Sequence, residues 1–226
     1  MLLLGRLVDF AAKDLSRKRR QHQARGHHPD SSPPFPGMIP TNGEFHVPMG
    51  FSPPRQEPQP DPTEGMDPEA SLQAASKEWE AIRNAFSCFE NHLGAEFQPL
   101  GPEYADNRDY PFGPALQYRS FSVAGIWMNY YMGLIHLYRS HPIMPPAAMA
   151  SVGLAASNTY EFANRLGRIA VGLSDNFDNM NEVSTVMAAA LIESAFCLFV
   201  ASVQVIRNST FFYQTFLLTT GLVSGR

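Results

Sequence analysis

His136, His141 and Glu193 carry the side chains of this sequence best suited to chemistry, since two imidazoles and a carboxylate are the donors of a metal site or an acid/base pair. Nothing in their spacing requires them to meet. The bland expectation, a histidine and a glutamate satisfied within a core, is therefore preferred to a catalytic one. Cys88 and Cys197 both fall in apolar helical patterns with no partner at metal-ligand spacing, so they are expected to be buried thiols in a reducing compartment. His22, His27 and His28 cluster without cysteine or carboxylate partners at ligand spacing and predict no metal site. The sequence has no glycine-rich phosphate loop after a strand, no Gly-x-Ser-x-Gly elbow and no His-Glu-x-x-His. The expectation is a protein that is not an enzyme and has no cofactor in this chain.

Charge adds two candidate features. Arg17, Lys18, Arg19 and Arg20 form a basic run at the end of the first helical pattern. It reads either as cations offsetting that helix's own dipole or, functionally, as a nuclear-import signal or an acidic-partner contact. The net charge of −4 is divided as +5 over 1–25, −10 over 26–110 and +1 over 111–226, so no broad basic surface exists for phosphate binding. Glu193 is the lone acid in an apolar helix. If buried it must meet a cation or reach solvent at a helix edge. Arg119, one turn into the otherwise uncharged helix expected there, has the same need, which predicts a structural pair Glu193–Arg119 with His136 as the second choice.

The elements that would position these residues are all helical. Residues 1–25 read as an amphipathic helix with Leu4, Leu7, Val8, Ala11 and Leu15 on one face and a basic end, and its apolar residues are too periodic for a signal peptide. Residues 26–67 are rich in proline and poor in large aliphatics, so they predict a disordered linker. Asp67 as N-cap, Pro68 and Glu69 open a helix. Its stripe Leu72, Ala75, Trp79, Ile82, Phe86, Phe89, Leu93 suits a bundle helix. Residues 115–140 predict a helix apolar on nearly every side, central in a bundle rather than in a membrane. A further helix is expected from Pro145-Pro146, partly broken near Ser157-Asn158 and closed by Gly172, and a last apolar one over 182–206. The connection 99–120 holds Pro99, Gly101, Pro102, Pro111, Gly113 and Pro114 with Tyr104, Tyr110, Phe112 and Tyr118. It predicts a packed cap whose aromatics fold back onto helix ends. With 68–206 as one helical domain and 207–226 as a divergent tail, the fold class is all-α, an irregular helical bundle with a disordered proline-rich linker.

Four stretches, "FQPLGPEYA" (97–105), "PFGPALQYRSFSVAGIW" (111–127), "YYMGLIHLYRSHPIMPPAAMASVGLAA" (130–156) and "ANRLGRIAVGL" (163–173), resemble the regulatory region C-terminal to the DNA-binding module of fungal binuclear zinc-cluster transcription factors. "ALIESAFCLFVASVQV" (190–205) and "MLLLGRLVDFAAKDLSRK" (1–18) resemble flanking parts of that region, and after about residue 205 the chain departs from the family pattern. The resemblance implies transcription regulation in the nucleus, with proteins of the transcription machinery or a second copy as partners. It does not imply DNA binding by this chain, because the family's module needs six cysteines around two zinc ions and this sequence has two cysteines, neither in a Cys-x-x-Cys pair. The alternative is a small membrane-associated protein with helices 115–139 and 182–206 in lipid. Arg119, His136 and Glu193 argue against it, since ionisable groups are expensive at bilayer depth, and the expectation is no membrane.

Overall fold

A computed structural model of the protein describes residues 2–24, 67–104, 112–174 and 185–205. Among the described residues the chain is all-α: α1 (Leu2–Ala24), α2 (Pro68–His92), α3 (Phe121–Arg139), α4 (Ala148–Ser174) and α5 (Thr185–Val205), with single 3-10 turns at Ala95–Phe97 and Pro102–Tyr104. Most of the expected linker and all of 207–226 lie outside the described residues, as does Tyr110.

α3 is central because it is apolar around its circumference, and Trp127, Met128, Tyr131, Leu134, Ile135 and Leu137 are all buried. α4 and α5 pack on it and on each other, and α1 and α2 pair and close its remaining side. The buried part of the α2 stripe is Trp79, Ile82 and Phe86, while Phe89 is 40% exposed and stacks on Tyr130 at the rim. Asp67 holds the N-cap position of α2 with its carbonyl, which accepts from Ser71 N (2.9 Å), and its side chain makes no capping bond.

Several expectations require correction. The helix expected over 115–140 begins only at Phe121, because Ser120 caps it: the Ser120 hydroxyl accepts from Val123 N at 3.3 Å. Residues 115–120 instead lie outside any helix, with Leu116 seated on α4. α4 runs unbroken through Ser157-Asn158, and Gly172 does not end it. The role of Gly172 is close approach, since a Cβ there would collide with the Leu116 carbonyl oxygen, and a Cβ on Gly167 would likewise collide with the Phe112 ring. The connection is thereby seated, with Leu116 N donating to Arg168 O (3.0 Å), Arg168 Nε to Pro114 O (2.7 Å) and Trp127 Nε1 to Phe97 O (2.6 Å). Phe112 and Tyr118 fold back as expected, but Tyr104 is exposed. Cys197 is buried, whereas Cys88 is on the solvent side of α2. On α1, Val8 is exposed and Phe10 is buried in its place, because the buried face continues into Asp14, Arg17 and Lys18 rather than into Leu15 alone.

Candidate functional site

The densest polar constellation of the described residues lies where α1 crosses the end of α3. The last carbonyls of a helix lack intrahelical partners and carry its negative pole. Here one such carbonyl and two in the turn that follows the helix are met from two helices. Trp79 of α2 donates its indole N–H to Leu137 O (2.8 Å). From α1, Lys18 Nζ donates to His141 O (2.8 Å) and Arg17 Nη2 to Pro142 O (3.0 Å). Both cations also bind Asp14, Arg17 at 2.6 Å and Lys18 at 2.5 Å. Asp14 is 4% exposed and each cation 7%. This arrangement corrects the reading of the basic run as a dipole-offsetting last turn of α1: Arg17 and Lys18 sit at the C-terminal end of a different helix, α3. Arg19 and Arg20 are exposed, so the four residues divide between the interior and the surface.

His141 stands against this cluster, its ring 4.4 Å edge-to-face from that of Trp79. Burial, then the Lys18 cation, hold its pKa below the usual histidine range. His136, half-buried one turn earlier, is lowered by burial and then by Arg139. Both imidazoles are therefore biased towards the neutral form.

Arg139 organises the opposite side of the α3 end. It donates to Gln204 Oε1 (2.9 and 3.0 Å) and to Val200 O of α5 (3.0 Å), and Gln204 Nε2 donates in turn to Val152 O of α4 (3.0 Å). Three helices are tied by one arginine and one glutamine. Burial pushes the guanidinium pKa down to about 10, so it is charged at neutral pH.

The expected pair Glu193–Arg119 is not formed among the described residues, and the reason is exposure. Arg119 precedes the cap of α3 and is exposed, and Glu193 is exposed at the edge of α5, over Gly125. Each finds solvent, so neither needs the other. The combination of His136, His141 and Glu193 is not assembled either. Glu193 lies by Gly125, eleven residues before His136 on the same helix, or roughly 16 Å along its axis. No group of three or more His, Cys, Asp or Glu side chains suited to a metal ion occurs among the described residues.

A shallow cleft of about 160 Å³ lies between residues 116–121 and the Gly172-Leu173 end of α4. Its volume is below that of ordinary small-molecule sites.

The partners of the basic run were partly readable beforehand. Asp14 precedes Arg17 and Lys18 by three and four residues, the spacing of neighbours on one helix face. Trp79 carries a donor that burial obliges to find an acceptor. Nothing local marks Gln204. No family model, curated protein or solved structure matches the chain.

Proposed function

We propose that this chain is a helical regulatory module of a nuclear protein that controls transcription, acting through protein contacts and without binding DNA alone. The observation that carries the reading is that stretches resembling zinc-cluster regulatory regions are packing partners of one another. Phe112 and Leu116, in 111–127, lie against Gly167 and Gly172, in 163–173, and Arg168 bonds Pro114 O. Resemblance that falls on segments in mutual contact concerns a folding unit rather than shared composition. The 226 residues hold two cysteines, too few for a six-cysteine zinc cluster.

The test is a reporter assay in which the full chain is fused to an unrelated DNA-binding domain. Altered reporter output, with the fusion in nuclei, is the expected result. Unchanged output from a stably expressed fusion overturns the reading, and so does a chelator-sensitive gel shift by the chain alone. The import signal is tested separately. Arg19→Ala removes a surface cation of the run and should lower nuclear accumulation while leaving the fold unchanged. Arg17→Ala with Lys18→Ala also disturbs the docking of α1, so a loss confined to that pair reports structure and counts against an import signal.

A second reading, association with membranes, is favoured by α5. Residues 185–204 have a mean hydropathy of 2.1, and a third of that stretch is buried. The bonds from Arg139 to Gln204 and from Gln204 to Val152 O weigh against it, since placing α5 in lipid would break them. Recovery only from detergent-extracted membranes would favour this second reading.

A further inference from the structure

α5 is apolar on both sides. Its inward face buries Met187, Cys197, Val200 and Ala201 against α3 and α4. Its outward face carries Thr185, Ala189, Ile192, Phe196, Phe199 and the half-buried Val203, at alternating steps of four and three residues. A period of about 3.5 residues makes a continuous seam of the kind along which a second helix packs, roughly 27 Å from Thr185 to Val203. Ile192 is 76%, Phe196 59% and Phe199 65% exposed. Glu193, the single charged residue of α5, stands beside the middle of the seam.

We propose that this seam is a homodimer interface, in which α5 of two copies packs antiparallel about a two-fold axis near Ser194. Three features select a second copy as the occupant. The first is shape. With the axis at the middle of the seam, Ile192 meets the partner's Phe196, Ala189 meets the partner's Phe199 and Thr185 meets the partner's Val203, so each large side chain faces a smaller one. A parallel pair would put Phe196 on Phe196 and Ala189 on Ala189, crowding one layer and leaving a void in another. The second is area. An exposed phenylalanine presents about 200 Å² and an aliphatic side chain about half of that, so Val186, Ile192, Phe196 and Phe199 offer roughly 400 Å² per copy and, with the smaller residues of the seam, about 1,000 Å² for two. That is the low end of specific interfaces and corresponds to a reversible dimer. The third is charge. The seam itself has no charged residue for an ionic partner to complement, and a second α5 supplies an apolar helix of the same length and period.

The experiment measures the molecular mass of the full chain by sedimentation over a concentration series. The expected result is a dimer that dissociates with a constant on the order of micromolar. Full-length Phe196→Asp places a charge in the seam without touching the buried face of α5, and it should stay monomeric at concentrations at least about tenfold higher while circular dichroism remains helical. The antiparallel pair also brings Glu193 of the two copies towards each other at the rim. Glu193→Lys, an exchange at an exposed position, should therefore pair with the parent chain in preference to itself, and added salt should weaken that preference. This second readout decides the matter even if Phe196→Asp fails to fold. Four results overturn the proposal: a full chain that is monomeric at about 100 µM, as a seam covered within one copy requires; a dimer of unchanged affinity in folded Phe196→Asp; random pairing of Glu193→Lys with the parent; or co-sedimentation of the full chain with phosphatidylcholine vesicles that Phe196→Asp abolishes.

Discussion

Replacing Asp14 by alanine should loosen α1 from the rest of the molecule. The carboxylate is 4% exposed and is shared by Arg17 and Lys18, themselves 7% exposed. Removing one side of a buried ion pair costs about 3–5 kcal/mol, because the remaining charge keeps its desolvation penalty and loses its compensation. Arg17 retains Pro142 O and Gln21, Lys18 retains His141 O, and both stay at the negative pole of α3. These residual bonds reduce the expected loss to about 2–3 kcal/mol, a large share of the roughly 5–15 kcal/mol that holds a domain folded. Equilibrium urea unfolding measures the total. Hydrogen exchange locates it, with faster exchange expected along α1 and little change within α4. A triple variant, Asp14→Leu with Arg17→Met and Lys18→Met, should recover much of the loss, since it removes the buried charges together. An Asp14→Ala protein within about 0.5 kcal/mol of the parent, below the cost of one lost hydrogen bond, would refute the reasoning.

Gly172→Ala should destabilise by about 2 kcal/mol, because the added methyl meets a backbone carbonyl, which cannot swing aside as a side chain would; chemical denaturation measures it, and a neutral effect would mean that the connection is not seated on α4. A thiol reagent under native conditions should label Cys88 quickly and Cys197 only on unfolding, since Cys197 is buried and burial pushes its pKa up to about 11; equal rates would contradict the packing of α5. Stability should fall with acid: His136 and His141 have depressed folded pKa values, so their contribution is complete above about pH 6.5 and is lost as pH falls through the folded values. His136→Gln with His141→Gln should flatten that curve below about pH 6.5 in thermal melts, and an unaltered slope would assign it to other groups.

The helices were legible because their causes are local. Pro68 opens α2, and the Trp79–Ile82–Phe86 spacing marks a face that must be covered. The aromatic connection could be recognised as a cap from proline, glycine and tyrosine alone, since these residues forbid a helix and seek burial. What the sequence could not decide was which charged residues would be interior. Hydrophobic patterning treats Arg17 and Lys18 as surface, and only the position of α1 across the end of α3 supplies the carbonyls that, with Asp14, make their burial tolerable. Glu193 erred in the opposite direction. An apolar helix suggests that its one acid is buried, but among the described residues α5 is packed on one side, which leaves that acid at an exposed edge. Residue type fixes the cost of burial, whereas the relative placement of distant helices fixes which residues are buried and what they meet there. For that reason local order could be read from the chain, and the polar joints that hold its helices in register were decided by the tertiary structure.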